Sequence, residues 1–129
     1  MNANQKIESA LSGLVSGKIW PLACPLEEKP DTFAVYLIER TVPADYGDDV
    51  HGEWVQHMEV TWFSRPAAGG KKKPVNYLSA EEKIIMALEQ AGFTVKKSVS
   101  GYEKDTGYTT CTVTFCARKE LMSNGKMQD

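Results

Sequence analysis

No apolar run in this 129-residue chain approaches the roughly 20 residues that a membrane helix needs, so no membrane-spanning helix is expected. Cysteine is scarce and odd in number. Cys24, Cys111 and Cys116 form no CxxC pair, which argues against an oxidised scaffold and for a reducing compartment. Cys111 and Cys116 lie five apart in a strand-like stretch, so they point to opposite faces and cannot bridge within it. Charge of one sign is lacking too: 15 Lys and Arg stand against 17 Asp and Glu, a net charge of −2. That excludes polyanion binding by bulk charge, though not by a local cluster. Met1 to Gly17 lacks the basic-then-apolar order of a secretory signal, and none is expected.

The signatures of catalysis are also missing. There is no GxSxG, no HExxH and no recognisable Cys–His arrangement. Gly69-Gly70-Lys71 lacks the spacing and the Ser or Thr of a phosphate-binding loop. His51 and His57 fall in a loop and a strand, with no zinc spacing to any cysteine, and read as surface or interface residues. Cys24, set between prolines and aromatics, reads as a small buried residue. No enzyme, cofactor or small-molecule substrate is expected.

What remains is an ordinary globular composition, 42% hydrophobic and 25% charged, long enough for one core without staples. A single α+β domain is expected over residues 1–118, with a polar, fraying tail over 119–129. Ile7, Ala10, Leu11, Leu14 and Val15 recur at helical spacing and mark a helix over residues 3–16, closed by Gly17. Pro21 and Pro25 deny helix and central strand, so residues 18–25 read as an extended, partly buried connector. Thr32–Thr41 and Glu53–Phe63 read as strands from their aromatic and β-branched content. On the second, Trp54, Met58, Val60 and Trp62 share the face chosen as core, with Gln56 its polar exception. Ser64–Val75 is a breaker. Ser79 and Glu82 form a capping box for a helix whose Ile84, Ile85, Leu88 and Ala91 face inward, ended by Gly92. Phe93–Ser100 alternates with one mismatch. Tyr108–Arg118 alternates strongly, with its threonines and Tyr108 on the outward face. The order α-β-β-α-β-β predicts one largely antiparallel four-stranded sheet with two helices on one face.

The stretch from Leu14 to Tyr36 carries a resemblance. Ile19-Trp20-Pro21-Leu22-Ala23-Cys24-Pro25, followed by the aromatic strand Pro30-Asp31-Thr32-Phe33-Ala34-Val35-Tyr36, resembles the tail-completion (tail-terminator) proteins of long-tailed phages and prophages. Their short first helix runs into a (V/I)-(Y/W)-P-L-x-x-P connector and then a P-Y-x-V-Y strand. The likeness spans roughly residues 5–118. It departs in the longer, more basic loop at Ser64–Val75 and in Asp31 and Thr32, which interrupt the P-Y pair. The resemblance implies a structural subunit that forms a ring, often a hexamer, capping the tail tube and joining it to the head connector. It implies assembly in the bacterial cytoplasm, a place in the virion tail or neck, and DNA passing through the lumen. It implies no membrane and no catalytic residue.

Contact residues for such a ring are sought in two places. Lys71, Lys72 and Lys73 with Arg65 form a basic loop, which faces DNA, an acidic neighbour or only solvent. Asp45, Asp48 and Asp49 form an acidic loop whose spacing does not match a calcium-binding loop. In a heterologous ring the two loops of neighbouring subunits would meet, so reversing the three lysines to Glu should weaken assembly. Among the aromatics, Trp54 and Trp62 are expected in the core, Trp20 at an interface. Val55 and Phe63, on the outward face, would be sticky on a monomer. The alternative function is a small nucleic-acid-binding module, with the Lys-rich loop and exposed Tyr102 and Tyr108 as its groove and platforms.

Overall fold

The computed structural model describes residues 2–43, 53–66 and 75–120. The first helix, α1 (Ala3–Leu11), opens on a reciprocal cap. Asn2 Oδ1 accepts from the Gln5 N–H at 2.8 Å, and Gln5 Oε1 accepts from the Asn2 N–H at 3.0 Å. The helix is shorter than the apolar spacing predicts. Ser12 and Gly13 are poor helix formers, and the chain tightens there into a 3₁₀ turn, Ser12–Leu14. Gly17 closes it with φ of 76°, its N–H donating to the Ser12 carbonyl at 2.7 Å.

Among the described residues the sheet has five strands, not the expected four, and it is mixed. Its order is β1 (Ile19–Pro21), β2 (Thr32–Pro43), β3 (Glu53–Ser64), β5 (Thr109–Glu120) and β4 (Thr94–Tyr102). The extra strand is the proline-flanked connector. Ile19–Pro21 runs parallel to β2, opposite Ala34–Tyr36, and every other pairing is antiparallel. Proline is tolerated here because β1 is an edge strand and Pro21 is its last residue. Beyond it the Leu22 N–H still reaches the Tyr36 carbonyl at 2.8 Å.

Helix α2 (Leu78–Gln90) also starts differently from its sequence signal. Ser79 lies inside the first turn and caps nothing. Asn76 Oδ1 instead accepts from the Leu78 N–H at 3.1 Å, an Asx turn placed just ahead of the helix. The mismatch in β4 has a cause: pairing shifts between Val95 and Lys97, a bulge that moves Ser98 opposite Val113 and turns Lys97 and Val99 to the other face.

Both helices cover the same face of the sheet. Ile7, Leu11, Ile84 and Leu88 pack there on Met58, Val60, Val113 and Phe115 in one buried cluster. Phe93 closes its end, edge-on to Phe115 at 5.0 Å between ring centres. Trp62 is buried there as expected, while Trp54 is only half-buried. Tyr36 sits in the same core and donates its hydroxyl to the Glu8 carboxylate of α1. Burial, then that hydrogen bond, raises the Tyr36 pKa above its ordinary value. Gln56, on this face, has a buried Oε1 with no hydrogen-bond partner among the described residues.

Candidate assembly surface

The other face of the sheet carries no helix among the described residues, and the strand registers lay it out in three rows. Phe33, Phe63, Thr110 and Gly101 form the first row. Val35, Thr61, Thr112 and Val99 form the second, and Leu37, Glu59, Thr114 and Lys97 the third. The first row ends in a small second core. Phe33 stacks on Phe63 with centroids 4.7 Å apart and planes 8° from parallel. Tyr108 stands edge-on to both, at 5.5 and 5.8 Å, and Trp20 leans on Phe33 at 6.4 Å. Cys24 is buried in the same cluster.

Arg65 locks the β1–β2 loop onto this plug. Its Nε donates to Asp31 Oδ1 at 3.1 Å, its Nη2 to the Lys29 carbonyl at 3.1 Å, and its guanidinium lies 4.4 Å over the Tyr108 ring. The Tyr108 hydroxyl donates to the Pro30 carbonyl at 2.6 Å. Burial raises the Tyr108 pKa, against the opposing pull of Arg65. Beside the plug lies a cavity of about 340 Å³ lined by Leu22, Cys24, Lys29, Phe33, Phe63, Glu103 and Tyr108, among others. Leu22 itself is 76% exposed and holds a left-handed φ of 69°.

The second row is polar with apolar ends, and the third is polar from Glu59 to Lys97 with Leu37 at its one apolar end. Thr61 and Thr112 share a hydroxyl–hydroxyl bond of 3.0 Å across β3 and β5. In the third row Glu59 hydrogen-bonds Glu39, which sits at a pairing shift between Ile38 and Arg40. Partial burial first, then that bond and the repulsion between the carboxyls, raise the Glu59 pKa, and Lys97 pulls it back.

The residues picked out from sequence divide into three groups. Trp20 and Phe63 are half-buried parts of the aromatic plug, and Val55 is half-buried in β3 between Val42 and Arg118. Arg65 is bound to its own β1–β2 loop. Lys71, Lys72, Lys73, Asp45, Asp48, Asp49 and His51 lie outside the described residues. Tyr108 corrects the expectation of an exposed platform: it is 4% exposed, because its ring fills the plug and its hydroxyl has a backbone acceptor. Cys116, which the register sets on the same face as Thr112 and Thr114, is likewise buried. Sequence reasoning gave Phe33, Asp31 and Glu39 no contact role of their own. A signal for Phe33 existed: aromatics at the start of one strand and the end of the next become cross-strand partners in any antiparallel hairpin. Among the described residues no three His, Cys, Asp or Glu side chains gather as a metal site.

No family model matches the chain, and no curated protein matches it in sequence. Its fold is similar to a chain in the solved virion of a native gene transfer agent particle, with a TM-score of 0.58 at 14% identity, covering 91% of this chain and 90% of that one.

Proposed function

We infer that this chain is a structural subunit of a phage-like virion, and that within it the chain serves as a tail-completion subunit, assembling at the end of the tail tube and meeting the head connector. The observation that carries the reading is the fold it shares, over nearly its whole length, with a chain of a gene transfer agent virion. The connector from Leu14 to Tyr36 supports the finer placement, because the residues that resemble the tail-completion proteins are those that build β1, its loop and the start of β2. The reading fits a helix-free sheet face and exposed apolar Leu22, Leu26 and Val99, features that a subunit covers on assembly. Its mechanism is contact, not catalysis.

Electron microscopy of the purified chain, with and without isolated tail tubes, tests this. Rings, or density added at one end of the tubes, are expected. A chain that leaves the tubes bare but binds short DNA with a steep salt dependence overturns the reading in favour of a nucleic-acid-binding module.

A further inference from the structure

The sheet ends in two unlike edges. On one side β1 covers β2 only over Ala34–Tyr36, and the chain turns away at Leu22. From Leu37 to Pro43 no strand among the described residues pairs with β2 on that side. The result is a step: a short strand, then a bare edge beside it. On the far side no strand among the described residues pairs with the outer side of β4, Thr94–Tyr102. Bare edges invite pairing with another chain.

The directions of these strands match. From β2 through β3 and β5 to β4 each neighbour is antiparallel to the last, so β4 runs opposite to β2. Copies related by rotation about an axis along the strands would bring β4 of one beside β2 of the next in antiparallel sense. The chemistry of the two edges matches as well. Lys97 and Val99 lie on the helix-free face of β4, exposed, Val99 at 58%. Glu39 and Leu37 lie two apart on β2, Leu37 in the third row of that face and Glu39 bonded to Glu59 of the same row. One antiparallel register sets Lys97 opposite Glu39 and Val99 opposite Leu37 together. That register runs Thr94–Val99 along Leu37–Val42 and ends at Val99, because from Ser100 on β4 would meet Tyr36, whose carbonyl Leu22 already occupies.

We propose that β4 of one copy docks into the step beside β2 of the next, continuing the sheet from subunit to subunit. This deepens the assembly reading and rests on it. The contact is heterologous, one edge against a different edge, so repetition yields a ring if the rotation closes. The Glu39–Glu59 carboxyl pair gains a lysine from the neighbour, and the exposed Val99 is covered by the half-buried Leu37.

Charge reversal and rescue test the contact, read as solution mass by light scattering on the full chain. Lys97→Glu and Glu39→Lys should each weaken self-association about tenfold or more, and the double variant should recover most of it. Unfolding curves confirm that each variant is folded. In wild-type assemblies, backbone amides in Thr94–Val99 and Leu37–Thr41 should exchange at least about tenfold more slowly than in the monomer. Assemblies that form with these amides unchanged, and without charge rescue, overturn the edge contact while leaving the virion reading intact. A wild-type chain that stays monomeric at the highest concentration reached overturns the second copy as occupant.

Discussion

The two faces of this sheet use similar strands for different ends. The helix-covered face buries Met58, Val60, Val113 and Phe115 under α1 and α2, and supplies the hydrophobic free energy of the fold. The helix-free face packs only one end, where Phe33, Phe63 and Tyr108 form a plug held down by Arg65. Its remainder is left to threonines, a carboxyl pair, a lysine and isolated apolar residues. Strand alternation alone cannot tell such faces apart, because both carry β-branched and aromatic residues. The difference lies in what packs against them: two helices on one, and on the other an aromatic plug at one end.

The largest expected contrast between the faces is at their apolar residues. Phe115→Ala, at a fully buried site, should cost about 3–5 kcal/mol in urea unfolding, enough to unfold much of the population. Val99→Ala, on the open face, should stay within about 0.5 kcal/mol. Equal costs would erase the comparison. Next comes the plug. Arg65→Ala removes the Asp31 pair, the Lys29 carbonyl bond and the ring contact with Tyr108, and should cost about 1–2 kcal/mol. Proteolysis should then cut the Leu22–Asp31 loop faster, and unchanged cutting would mean that the loop is held by something else.

Smaller still is the carboxyl pair. Folding raises the Glu59 pKa, so its protonated form is favoured in the folded state. The folded state then holds more proton than the unfolded one, and stability falls as pH rises from the ordinary Glu range through the raised value. Glu59→Gln should remove that slope and add a few tenths of a kcal/mol near neutral pH. The gain should vanish at acid pH. A gain equal at both ends of the range would show that the two carboxyls do not repel.

Much of the fold was legible in the sequence. Helix α2, strands β2, β3 and β5 and the core face of β3 follow from periods of 3.6 and 2, which burial on one side imposes. The errors share a cause, which is tertiary pairing. Pro21 looked like a breaker and is one only for central strands, so an edge strand passed as a connector. The β4 mismatch was a bulge, whose extra residue flips Lys97 and Val99 across the sheet. Tyr108 looked exposed because its alternation put it opposite the core, and nothing local announces a second core on that side. The assembly surface was only half legible. Trp20 was visible as an interface aromatic on the connector, and Phe63 as an aromatic on an outward strand face. The step beside β2 was not, since it exists only because β1 stops after Pro21.

The most direct test is the solution mass of the chain, by light scattering after size exclusion at rising concentration and at low and high salt. A structural virion subunit should give one discrete ring-sized species, weakened by salt as expected where Lys97 meets Glu39 across copies. A monomer at every concentration that binds nucleic acid with a steep salt slope would contradict the account.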